Sequence, residues 1–100
     1  MDADELVEMA AALEQGSEHP VGKAVYEHAR LLNLPVRAVA DLSVVPGRGI
    51  AGTVDGAPYA VGNSGFMRDK GIFWKEDESR LREFMRQGAS PLYVGRGGSP

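Results

Sequence analysis

The chain has 100 residues, 43% of them hydrophobic and 25% charged, with a formal net charge of −3 and no cysteine. That is enough for one core and one domain, with a composition in the globular rather than the disordered range. Disulfides, thiolate metal sites and a cysteine nucleophile are excluded, and the lack of cysteine fits a reducing compartment.

The longest apolar run, Met9 to Leu13, is far shorter than the ~20 residues of a membrane span. The start, Met1-Asp2-Ala3-Asp4-Glu5, is acidic where a signal peptide is basic. No basic stripe is present to neutralise a phosphate backbone, which argues against a nucleic-acid partner.

Asp2 and Glu5 have the spacing of a capping box, and Leu6, Met9, Ala10 and Leu13 recur at helical period, so a first helix is expected from about Ala3 to Gln15. Its last turn carries Glu14, a carboxylate at the negative end of the helix dipole, and such an unfavourable placement hints at use. Gly16 is a helix stop, while Ser17 and Pro20 suit the start of a second helix that runs through Val21, Ala24, Val25, His28 and Leu31 to Asn33. Two helix ends therefore face one corner, bringing Glu14 and His19 to it. His19 and His28 are nine residues apart, on opposite sides of a helix, and cannot share a metal ion. No metal site is expected.

From Val36 the period changes to two, and Val36, Ala38, Ala40, Leu42 and Val44 read as one face of a long half-buried strand. Pro46-Gly47-Arg48-Gly49 turns it into Ile50 to Val54, and Asp55-Gly56 is a hairpin signal that returns the chain through Ala57 to Gly62. Asn63-Ser64 then caps a short helix holding Phe66 and Met67 and stopping at Gly71. A third long helix is expected from about Asp77 to Gln87, with Leu81, Phe84 and Met85 inward and Gly88 as its stop. Ser90 to Val94 is one more strand, and residues 95–100 read as a flexible tail in which Gly95-Arg96-Gly97-Gly98 only superficially resembles an RNA-binding box. With no regular βαβ alternation, the pattern predicts a single α+β domain over residues 1–100, an antiparallel β-sheet flanked by α-helices. A strand that ends in a loose tail further suggests a piece of a longer chain.

Gly47-Arg48-Gly49 lies between two strands, unlike a dinucleotide fingerprint, and no Gly-Lys-Ser/Thr phosphate loop is present. A plain hairpin turn is its simplest reading; its functional reading is a bare backbone that phosphate oxygens can approach, with the charge of Arg48 beside it. His19 reads as a core residue, an exposed bystander or an aromatic surface for a flat ligand. Glu14 can accept hydrogen bonds from an exocyclic amine, and Asn63, next to Gly62, can donate and accept. These are the parts needed to hold adenine at one end and phosphates at the other. Two readings from other classes stand beside this one. In the first, a hydrolase uses His19 as general base with Glu14 or Glu18 orienting it, although Ser17 is not a convincing nucleophile. In the second, an interaction domain pairs through its sheet edge.

Ser17-Glu18-His19-Pro20, followed by Pro46-Gly47-Arg48-Gly49-Ile50, Gly52, Asp55-Gly56 and Val61-Gly62-Asn63, resembles the nucleotide-binding domain of heavy-metal-transporting, CPx-type P-type ATPases, from about Leu6 to Val94. The resemblance implies that Glu14 lies against the adenine amino group, His19 borders the ring, Gly47 and Gly49 line the path to ribose and phosphates, and Asn63 completes the site. Ser17, Glu18, Arg48 and Gly62 adjoin these as secondary candidates. It also implies ATP or ADP as ligand with Mg2+ carried on the phosphates, and phosphorylation and actuator domains of one parent chain as partners. The place implied is the cytoplasmic side of a membrane transporter, and the isolated domain is expected to be monomeric. The family's phosphorylated aspartate, in an Asp-Lys-Thr-Gly context, is absent, since Asp69-Lys70-Gly71 lacks the threonine. The expectation is thus a module that binds ATP weakly and presents its γ-phosphate without hydrolysing it.

Overall fold

Two twelve-residue helices, α1 (Ala3–Glu14) and α2 (Pro20–Leu31), lead the chain in a computed structural model that describes residues 3–73, 86–87 and 90–97. The run of alanines makes α1 slim, and Val7, Met9, Ala10, Ala11, Ala12 and Leu13 are all buried. So wide an apolar stripe lets α1 pack on α2 with one side and on the sheet with the other. The cap of α2 is His19 rather than Ser17: the His19 Nδ1 accepts the Val21 N–H at 3.2 Å, with Pro20 in the first helical position. Asn33, at φ 57°, ends the helix as foreseen. Its N–H donates to the Arg30 carbonyl at 3.0 Å and the Leu34 N–H to the Ala29 carbonyl at 3.1 Å, a Schellman closure.

The main sheet is antiparallel throughout, in the order β1-β2-β3-β7-β4. Its strands are β1 (Ala40–Val45), β2 (Gly49–Val54), β3 (Ala57–Gly62), β4 (Ile72–Phe73) and β7 (Tyr93–Gly97). A short helix, α3 (Ser64–Asp69), follows β3, and β5 (Arg86–Gln87) pairs with β6 (Ser90–Pro91) as a separate ribbon. The three consecutive antiparallel strands and the capped short helix agree with the sequence pattern. Val61, Tyr59, Ile50 and Val94 pack with the α1–α2 side of the core, while Ala60 packs with Phe66, Met67 and Ile72 on the α3 side. The alternation along β3 thus serves helices on both faces of the sheet.

Four expectations change. The first strand begins at Ala40, not Val36, because β2 ends at Val54 and offers no partner to residues 36–39. Those residues instead cross α1, held by Arg37, whose Nε donates to Glu8 Oε1 and whose guanidinium meets Asp55 Oδ2, each at 2.8 Å. Nor is β1 half-buried. It is an edge strand with Leu42 52% and Val44 61% exposed, since α1 covers β2, β3 and β7. The helix predicted to reach Gln87 does not, because Arg86–Gln87 pairs as β5; residues 77–85 and Gly88 lie outside the described residues. Finally, Gly95-Arg96-Gly97 is no tail: it pairs inside the sheet between β3 and β4, with Gly95 and Gly97 buried and the Arg96 guanidinium 6.0 Å from the Tyr59 ring.

Candidate functional site

The corner between α1 and α2 opens onto the β1–β2 turn, and a cavity of about 380 Å³ lies between them, within the range of ligand sites. Its floor is apolar, with Leu13, Ile50, Val61 and Leu92. Leu42 and Val44 form one wall, which explains why two large apolar side chains of an edge strand stay open to solvent. Sequence reading missed both, having assigned their face of the strand to the core.

Of the nine residues singled out from the sequence, eight line this cavity: Glu14, Ser17, Glu18, His19, Gly47, Arg48, Gly49 and Gly62. Asn63 does not. Its Oδ1 accepts the Phe66 N–H at 2.8 Å as the cap of α3, and its own N–H donates to the Arg48 carbonyl at 2.9 Å. It stands behind the wall and braces it.

Glu14 ends α1 half-buried. Burial pushes its carboxyl above the ordinary value of 4.5, opposed by a hydrogen bond from the Ser17 hydroxyl and by the nearby charge of His19. Ser17 Oγ in turn accepts the His19 N–H at 3.1 Å, and the Ser17 N–H donates to the Glu14 carbonyl at 2.9 Å. The Glu14 carboxylate and the backbone of His19 are thereby tied through one serine, while the imidazole is held separately by its cap to Val21. Beside them lies Gly22, buried in the first turn of α2: a Cβ there would overlap Glu14 Oε2 and fall 2.6 Å from Ser17 Oγ. Sequence reading passed over Gly22 as one more helical residue. The signal available was its cost, since glycine inside a helix is disfavoured by about 1 kcal/mol against alanine.

The two glycines of the turn differ in kind. Gly47 has φ 77° and open space around it, following Pro46 in a turn closed by the Arg48 N–H to the Val45 carbonyl at 3.0 Å; this is the proline–glycine pattern of a type II turn. Gly49 has no need of a left-handed backbone. It is paired with Gly62 across β2 and β3, and a Cβ on it would come within 2.5 Å of both Phe66 Cδ2 and the Val61 carbonyl. Arg48 turns toward α3 and meets Asp69 Oδ2 at 2.7 Å, both side chains remaining largely exposed. Among the described residues no group of three or more histidine, aspartate or glutamate side chains is placed to hold a metal ion, and no helix is long and apolar enough to cross a membrane.

No protein-family model matches the chain. It is 32% identical over 91 residues to a copper-exporting P-type ATPase of Staphylococcus saprophyticus and 36% identical over 95 residues to copper-exporting P-type ATPase B of Archaeoglobus fulgidus. These alignments cover 91% and 95% of this chain but only 12% and 13% of the relatives' lengths. Its fold matches the N-domains of HMA6 and HMA8, described as copper-transporting P-type ATPases, with TM-scores of 0.72 and 0.68 at 24% identity. Those matches span 97% and 99% of this chain and 79% and 92% of theirs. Relatedness along nearly the whole sequence and a shared fold agree: the chain belongs to the family of heavy-metal P-type ATPases and has the fold of their N-domains.

Proposed function

We propose that the chain is the ATP-binding module of a heavy-metal transporter, holding adenine in the cavity and presenting the γ-phosphate to a phosphorylation domain of the same parent chain. The observation that carries this reading is the meeting of Glu14, His19 and the Gly47-Arg48-Gly49 turn around one cavity of about 380 Å³. Adenine lies on the apolar surface of Ile50, Val61 and Leu42, bordered by His19, with its exocyclic amine toward Glu14. The phosphates run past the bare backbone of Gly47, with Arg48 beside them. Mg2+ travels on the phosphates and takes its protein ligands from elsewhere. The contribution of this chain is positioning, which is most of what phosphoryl transfer asks of a protein. The phosphorylation and actuator domains are its partners, on the cytoplasmic side of the membrane.

A hydrolase built on His19 is less well supported. The Nδ1 of His19 accepts from Val21 and the Ser17 hydroxyl is engaged with Glu14, so neither group is poised as base or nucleophile. Titration of the isotope-labelled chain with ATP, ADP and AMP, followed by NMR with a parallel phosphate-release assay, tests the proposal. ATP and ADP are expected to shift Glu14, His19, Gly47 and Gly49 without phosphate release, and Asn63 only second-hand. No shifts at any of these positions would overturn it.

A further inference from the structure

Gly22 and Ser17 surround the Glu14 carboxylate in a way the binding of a base alone does not require. The carboxylate stands against the bare Cα of Gly22, in the space a methyl group there would fill. The Ser17 hydroxyl donates to it, and that same oxygen accepts the His19 N–H at 3.1 Å. One side of the carboxylate is therefore engaged by protein while Glu14 also lines the cavity. A carboxylate fixed in this way is an acceptor in one place, since it carries no proton to donate when ionised. Opposite an amine it completes a hydrogen bond; opposite a carbonyl it sets two acceptors against each other.

We infer that Gly22 and Ser17 are positioning residues that set the base selectivity of the site, aiming Glu14 so that 6-aminopurines are accepted and 6-oxopurines rejected. The inference rests on the adenine reading above. The atoms a Cβ at Gly22 would strike are the far end of a flexible glutamate and the Oγ and Cβ of Ser17, the last 2.7 Å away and fixed to its backbone. Replacing Gly22 with alanine therefore displaces the carboxylate and presses the Ser17 turn away from α2, while the helix itself accepts alanine well.

The test is the ratio of dissociation constants for inosine triphosphate and ATP, which differ in the purine 6-substituent and in the proton inosine carries on the adjoining N1, measured calorimetrically on the wild-type chain and on Gly22→Ala, Ser17→Ala and the double variant Gly22→Ala/Glu14→Asp. The wild type is expected to prefer ATP by about tenfold or more, a modest share of what a buried hydrogen-bonding site achieves. Both single variants should lose most of that preference, and the double variant should recover part of it, because aspartate withdraws the carboxylate by one methylene from the added methyl. A merely structural role would weaken both nucleotides alike and would not be rescued by Glu14→Asp. Should Gly22→Ala not fold, Ser17→Ala, which removes atoms and adds none, decides the matter. Folded variants that discriminate as the wild type does would overturn the inference. If the wild type binds ATP and inosine triphosphate equally, this inference falls alone; if it binds neither, the adenine reading falls with it.

Discussion

Gly49 and Gly62 stand opposite each other in the β2–β3 ladder, and the Phe66 ring from α3 lies against both. A Cβ on Gly62 would come 2.6 Å from Phe66 Cδ2 and 2.7 Å from the Arg48 carbonyl, and one on Gly49 would come 2.8 Å from the Gly62 Cα. The pair is a point of close approach beneath the cavity, and it locks the turn that bears Gly47 and Arg48 onto the sheet.

Gly49→Ala and Gly62→Ala should each destabilise the fold by about 3 kcal/mol, at the upper end for overpacking, because backbone as well as a ring would have to move. Urea unfolding measures this. Phe66→Leu should recover only part of the loss, since the carbonyl contacts remain. Gly47→Ala, with open space but a left-handed φ, should cost about 1–2 kcal/mol. A Gly49→Ala protein as stable as the wild type would show that the pair does not pack as described.

His19 has two roles that substitution can separate. Asparagine caps helices well, so His19→Asn should leave stability nearly unchanged while removing the ring that borders the cavity. His19→Ala removes the cap as well and should cost about 1 kcal/mol in thermal or urea unfolding. Weaker ATP binding is expected for both. Equal stability of the two variants would mean that the 3.2 Å contact to the Val21 N–H carries no weight.

Glu14 makes stability depend on pH with a definite sign. Burial raises its folded-state value above the ordinary 4.5, so over the intervening range the folded protein binds more protons than the unfolded one. Stability from the protonated carboxyl is fully present below 4.5 and is lost as pH rises through the folded value. Glu14→Gln should therefore be more stable than the wild type near neutrality, and the gain should vanish in acid. Unfolding curves at several pH values check this. A gain that persists unchanged below the ordinary value would assign it to something other than ionisation.

Arg48 is shared between the cavity and Asp69. The 2.7 Å pair is exposed on both sides, and such pairs contribute under about 1 kcal/mol to stability. Asp69→Asn should leave the melting temperature almost unmoved but release Arg48 toward a bound triphosphate, tightening ATP more than AMP. Arg48→Ala should do the reverse. Parallel changes for ATP and AMP would show that Arg48 does not face the phosphates.

Local chemistry explains what could be read without coordinates. Helical period, the stops at Gly16 and Asn33, the Pro46-Gly47 turn, the Asp55-Gly56 hairpin and the Asn63 cap each depend on neighbours a few residues away, and each stands where the pattern put it. The corner uniting Glu14 and His19 follows from two such ends meeting. What the pattern could not carry depends on partners distant in sequence. Whether β1 is covered is decided by where α1 comes to rest, and whether Gly95-Arg96-Gly97 is a tail or a strand by the insertion of β7 between β3 and β4. Gly49 looked like a turn glycine until Gly62 and Phe66 were placed against it, and Gly22 looked incidental until the Glu14 carboxylate was found beside it. Propensity and period act along the chain, whereas steric exclusion acts through space, so the sequence alone determined the elements and their order while only the tertiary structure decided which glycines had to be bare.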